Sequence, residues 1–342
     1  MIFCTLFNWA YVAQGVTLYR SIERHLRDDF VLYALCMDEL AALCLQTLNL
    51  PNLRIINLTD IEDAALLAVK PHRTLGEYCW TCTTPLLLYV QDLFHQGTVV
   101  TYVDADIAFF SSPSAITREL GEKSIFIHEH DFAPEHQGLL AQSGRFNVGV
   151  VSFRKDSEGR TCLERWKSQC IDECVMDPAA GKCGDQNYLD EWPELYTGLV
   201  ISADPGVGLA PWNISKRAIG RDHGGAIRVD QSKAVFYHFH GLRPLRPRFG
   251  INPTLIASGG YRLPEASIDM FYSPYVQEVW RNMEPFAQIV AALKPLPDIF
   301  PRMEDDQILF LSRRGMLPVQ RNAATMSELY GFDEARPDRR PV

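Results

Sequence analysis

Residues 97–110, Gly-Thr-Val-Val-Thr-Tyr-Val-Asp-Ala-Asp-Ile-Ala-Phe-Phe, constrain the fold more than any other stretch. A β-branched, apolar run stops abruptly at two carboxylates one residue apart, and apolar residues then resume. Such a run reads as a buried strand of a mostly parallel sheet, whose ligands bind beyond the carboxyl ends of the strands. Side chains at i and i+2 of an extended segment point the same way, so Asp104 and Asp106 can converge on one cation. Hard carboxylate oxygens suit Mn²⁺ or Mg²⁺, which bind through one or two carboxylates together with the phosphates of a substrate.

Around this strand the sequence alternates. Segments 2–6, 30–37, 53–57, 124–128, 145–153 and 235–241 have strand character, and 12–25, 38–48, 85–94 and 163–174 have helical spacing. Alternation of this kind predicts an α/β fold, a parallel sheet flanked by helices. One domain is expected over residues 1–245. From 246 to 334 frequent prolines and an aromatic helix at 275–293 suggest a small helical extension, and the Pro/Arg/Asp-rich residues 335–342 a disordered tail.

The 342 residues are 47% hydrophobic, enough for a substantial core, and the net charge of −9 argues against nucleic-acid binding. The first residues read as a strand rather than a secretory leader, and no apolar run is long enough to span a bilayer, so a cytoplasmic protein is expected. The nine cysteines are expected to be reduced thiols. Cys79-Trp80-Thr81-Cys82 has redox spacing but lies in a helical stretch, where both thiols read as small buried hydrophobes. Cys170, Cys174 and Cys183 lack an evident fourth metal ligand.

Four motifs follow in order: Asp104-Ala105-Asp106, Asn147-Val148-Gly149, Asp185-Gln186 and His238-Phe239-His240-Gly241. Together they resemble the GT-A fold glycosyltransferases, and among them the bacterial members of family 8, over residues 1–245. The resemblance implies that Asp104 and Asp106 hold the metal, with Asp104 and Ala105 near the nucleotide. His238 would be the third ligand, His240 its rival for that role or a phosphate or acceptor contact, and Gly241 part of the same donor-binding turn. An imidazole beside two carboxylates favours Mn²⁺ over Mg²⁺. Thr5, Leu6, Phe7, Asn8 and Tyr11 would hold the base, and Lys70 and Arg73 would bring cations near the donor. Asn147 would hydrogen-bond the donor sugar. Asp185 would bind sugar hydroxyls beside Gln186, which would face the anomeric carbon; an ordinary helix N-cap is the plain alternative for Asp185. The family's Lys-Pro after the histidine is replaced by Leu242-Arg243-Pro244-Leu245-Arg246, leaving Arg243 or Arg246 to meet the diphosphate.

The implied activity is metal-dependent transfer of a hexose from a nucleotide-diphosphate sugar, a UDP-sugar by preference, to a glycan or lipid-linked acceptor with retention. If the enzyme inverted instead, Asp185 or Asp131 would be the candidate base. A sugar-nucleotide pyrophosphorylase is the rival enzyme, although the Gly-rich loop it needs after the first strand is missing. A nucleotide-sugar-binding protein without turnover is the rival from another class. The segments 275–293 and 308–314 combine apolar residues with arginines and raise peripheral membrane association as an option beside core packing.

Overall fold

In the computed structural model, residues 1–245, 254–257, 261 and 263–292 are described. Strands β1 (Ile2–Phe7), β2 (Val31–Cys36), β3 (Leu53–Asn57), β4 (Val99–Val103), β6 (Ile125–Glu129) and β7 (Phe146–Arg154) form a seven-stranded sheet with the strand Leu199–Ile201. Its order runs Leu199–Ile201, β6, β7, β4, β1, β2, β3. The short strand β5 (Ile107–Phe109) lies outside it. Within the sheet only β7 runs against its neighbours β4 and β6; the other pairings are parallel. The predicted α/β class therefore holds, with one reversed strand at its middle.

Because both faces are covered, the strands are apolar throughout rather than alternating. On one face the helix Leu75–Asp92 buries Cys82, Leu86, Leu87 and Val90. Thr74 and Glu77 close a capping box at its start. Beside it the helix Ser157–Asp172, capped by Asp156, packs Trp166 edge-on to Trp192 at 5.3 Å. The helix Val12–His25 covers the other face, with Leu18, Tyr19 and Ile22 in a core shared with Phe3, Val103 and Phe109. All nine cysteines are free, and Cys79 and Cys82 sit on that capped helix as the sequence suggests.

The strand Phe236–His238 pairs antiparallel with β5, setting His238 opposite Ile107. The chain then continues into a hairpin, Leu242–Leu245 with Thr254–Ala257, and into a π-turn, Ile268–Tyr272, leading to the helix Ser273–Ala292. Phe271, Tyr272, Tyr275, Val276 and Val279 share a core with Ala13, Ala108, Tyr237 and Phe239. A single core thus crosses the change of composition near residue 245. Tyr275, Val276 and Val279 show core packing, one of the two readings of segment 275–293. Segments 308–314 and 335–342 lie outside the described residues. Among those described, no helix is long and apolar enough to cross a membrane.

Tyr275 stacks on Phe239 with centroids 3.6 Å apart, one residue from His238, and its buried hydroxyl has no hydrogen-bond partner among the described residues. Tyr275→Ala should therefore cost about 3–5 kcal/mol, as loss of a large buried ring does. Tyr275→Phe should be neutral or slightly stabilising, because it removes an unsatisfied polar atom. Urea unfolding of the two variants checks both.

Candidate functional site

The carboxyl ends of β1, β4 and β6 and the start of the antiparallel β7 meet at one sheet edge, over a cavity of about 620 Å³. That is a normal size for a small-molecule site. Leu6, Phe7, Asn8 and Tyr11 line it from the first loop, and Asp104, Ala105 and Asp106 line it from the end of β4. Asn147, Asp185, Gln186, His238, His240 and Gly241, also expected from sequence, line it as well.

β4 ends at Val103, but its pairing with β7 runs one bond further, since the Asp104 amide donates to the Gly149 carbonyl at 2.9 Å. Asp104 is thereby aimed at the cavity. The Tyr102 hydroxyl donates to its Oδ1 at 2.8 Å. Asp106 is anchored through its carbonyl, which accepts from the Phe239 amide at 2.8 Å. Pairing with β5 thus carries His238 to the carboxylates: its Nε2 stands 3.2 Å from Asp106 Oδ1 and 3.7 Å from Asp104 Oδ2. One ligand atom from each of Asp104, Asp106 and His238 lies within 4.8 Å of the others.

Two hard carboxylates and an imidazole are a donor set that a divalent cation such as Mn²⁺ accepts. The charges around them say the same. Burial pushes the Asp104 carboxyl up, and the negative Asp106 adds to the shift. Burial also acts on Asp106, but the adjacent His238 outweighs it and holds the group low. His238 in turn is held above its ordinary value, the attraction of Asp106 outweighing burial. Among the described residues the lining holds three carboxylates (Asp104, Asp106, Asp185) and neither lysine nor arginine.

Some sequence expectations land elsewhere. Thr5 is fully buried inside β1 and does not reach the cavity. Lys70 pairs with Glu62 at 2.7 Å, and Arg73 donates to the Cys170 and Ile171 carbonyls; neither lines the cavity. Asp131 is held by Lys216 and Arg217, which removes it as a base. The Arg243 side chain and Arg246 lie outside the described residues. Asp185 occupies the N-cap of the 3₁₀ helix Gln186–Glu191, yet makes no side-chain cap bond. Its Oδ2 is buried without a partner. The N-cap explanation therefore fails for Asp185, and its burial is left unrepaid by any cap.

Residues the sequence did not single out complete the walls. Trp212 donates its indole N–H to the His130 carbonyl at 2.8 Å and stands edge-on to His238 and His240 at 5.5 and 5.4 Å. Phe132, Tyr261, Trp80 and Met176 add apolar surface. No short motif marks Trp212, Phe132 and Tyr261, which come from separate segments of the chain.

No family model matches the chain. It is 30% identical to the uncharacterized protein YfnD of Bacillus subtilis (strain 168) over 288 residues, 82% of this chain and 88% of that one. It is 34% identical to the uncharacterized protein YfnF of the same organism over 247 residues, 70% of this chain and 81% of that one. The chain belongs to the family of YfnD and YfnF. Its fold matches that of the galactosyltransferase LgtC, solved in complex with donor and acceptor sugar analogs. The TM-score is 0.51 at 14% identity, over 87% of this chain and 98% of LgtC. The fold is thus the GT-A glycosyltransferase fold expected from sequence.

Burial, reinforced by the charge of Asp104, pushes the Asp185 carboxyl up to about 8. Between the unfolded value of about 4 and this one, the folded chain holds a proton that the unfolded chain has released. The stability contributed by this group is full below the unfolded value and is lost as pH rises toward the folded one. With metal chelated, wild type should therefore lose stability relative to Asp185→Asn between about pH 5 and about pH 8. Urea unfolding across that range is the measurement, and a constant difference would mean that Asp185 is ionised in the fold.

Proposed function

We propose that this protein is a metal-dependent, retaining glycosyltransferase that moves a hexose from a nucleotide-diphosphate sugar, a UDP-sugar, to a glycan or lipid-linked acceptor. The observation that carries the reading is the convergence of Asp104, Asp106 and His238 at the sheet edge, in a cavity without lysine or arginine among its described lining residues. A diphosphate entering there meets the Asp104 and Asp106 pair, which repels it unless a divalent cation intervenes. When bound, such a cation supplies Lewis-acid stabilisation of the charge that grows on the departing diphosphate.

The chain's own residues supply the rest. Leu6, Phe7, Asn8 and Tyr11 form one end of the cavity, where Tyr11 offers a ring for a pyrimidine. Asp185 and Gln186 lie toward the β7 side, where the sugar would sit. The sugar becomes oxocarbenium-like as the leaving group departs, and the Gln186 carbonyl oxygen would stabilise that charge. Inversion would need a general base. Asp185 is held protonated by burial up to about 8, and burial pushes His130 and His240 down to about 3 and about 4, which makes both weak bases. This shortage of a competent base supports retention. The structural likeness to LgtC, crystallised with donor and acceptor sugar analogs, supports sugar donor and acceptor.

A panel of nucleotide sugars incubated with the purified protein and Mn²⁺ should show slow hydrolysis of one donor. Asp106→Ala should reduce that rate by at least roughly a hundredfold, the scale of losing one preorganised electrostatic group. Full turnover by Asp106→Ala would overturn the metal assignment, and no hydrolysis of any donor would favour a binding protein.

Gln186→Ala should lower kcat more than it weakens donor binding, since its contact strengthens only as charge develops on the sugar. Anomeric proton couplings of the product, read by NMR, should show the donor's α configuration kept. A β-linked product would establish inversion.

A further inference from the structure

Asn147 lines the cavity, but its amide is already spoken for. Its Oδ1 accepts from the Gly149 amide at 3.0 Å and from His238 Nδ1 at 3.2 Å. Its Nδ2 faces His130 Nε2 at 3.3 Å and Gln186 Oε1 at 3.4 Å. An asparagine amide offers two lone pairs and two N–H groups, and all four are used.

The orientation of the amide follows from its neighbours. His130 Nδ1 is 3.1 Å from the Gly144 carbonyl, an acceptor, so that nitrogen carries the proton. His130 Nε2 is then an acceptor in the neutral ring and can meet only the N–H side of Asn147. The oxygen side is left to His238, which must donate from Nδ1. In the neutral ring that ligation requires, this leaves the Nε2 lone pair for a cation held by Asp104 and Asp106; without one, Nε2 faces the two carboxylates as a donor. Fixing a ligating histidine's tautomer through its other nitrogen is how outer groups tune a metal site. The fourth bond reaches Gln186, whose Nε2 donates to Cys183 Sγ at 2.9 Å.

Gly149 is part of the same arrangement. A Cβ there would stand 2.6 Å from Asn147 Oδ1 and 2.8 Å from His238 Nδ1. The space that glycine leaves is filled by this contact.

We infer that Asn147 is a positioning residue, which sets the tautomer of His238 and the pose of Gln186 together, rather than a donor-sugar ligand. The metal end and the sugar end of the cavity are thereby joined through one amide. This inference rests on the metal reading above.

Mn²⁺ binding, followed by electron paramagnetic resonance with no nucleotide sugar present, tests it. Asn147→Ala should bind Mn²⁺ about 10- to 100-fold more weakly than wild type, the usual cost of losing such a partner. Asn147→Asp keeps the acceptor for His238 and Gly149 but loses both N–H donations. It should bind Mn²⁺ at least as tightly as wild type and still lose kcat, by roughly tenfold or more, because Gln186 loses its tether. Gly149→Ala leaves every polar partner in place yet should weaken Mn²⁺ binding by wedging Asn147 from His238; it and Asn147→Asp carry the test if Asn147→Ala does not fold. Wild-type Mn²⁺ affinity in Asn147→Ala, with a raised donor KM, would make Asn147 a sugar ligand and overturn the inference. A wild-type protein that binds no Mn²⁺ would overturn the metal reading, and this inference with it.

Discussion

Like charge held at the end of a buried strand is the constraint around which the site is arranged. Asp104 and Asp106 leave β4 on the same side, close enough for each to affect the other's ionisation. In a partly desolvated pocket that repulsion is costly. No lysine or arginine of the described lining offsets it. The chain relieves it in part with Tyr102, which donates to Asp104, and with His238, which stands against Asp106. A divalent cation, if bound there as proposed, would relieve it. Catalytic and structural requirements at this edge are one electrostatic problem.

His238 reaches the carboxylates only because residues 236–238 pair with β5. That short pairing is isolated from the main sheet and needs backing. The C-terminal aromatic residues supply it, with Tyr237 stacked on Phe271 and Phe239 on Tyr275. These rings bury large apolar area behind the strand. The segment after residue 245 therefore supports the candidate metal site from behind, although none of its described residues except Tyr261 lines the cavity. On the opposite wall, Trp166 holds the Asp185 carbonyl through its indole N–H at 2.9 Å, so the core under the sheet also fixes the loop that carries Gln186.

Much was legible in sequence because it is encoded locally. Apolar runs of strand length, helical spacing between them and an Asp-x-Asp at a strand end each depend on a few neighbouring residues. They were enough for the α/β class, the cavity edge and the order of motifs. Lys70 and Arg73 show where local reading stops. Their charge is visible in sequence, but the partners that hold them, Glu62 and the end of the helix Ser157–Asp172, are not. Asp185 shows the converse. Its position before a helical turn suggests a cap, and only three-dimensional packing shows a buried carboxyl with one oxygen unpartnered.

The sequence by itself determined the strands, the helices and the chemical inventory at the sheet edge, since periodicity and residue type are properties of short segments. Tertiary structure decided which of two histidines faces the aspartates, because that depends on the register of two strands separated by more than a hundred residues. It also decided that Asn147 spends its amide on His130, His238, Gly149 and Gln186. Hydrogen-bond capacity is written in the residue, but the partners that use it are chosen only when distant segments meet.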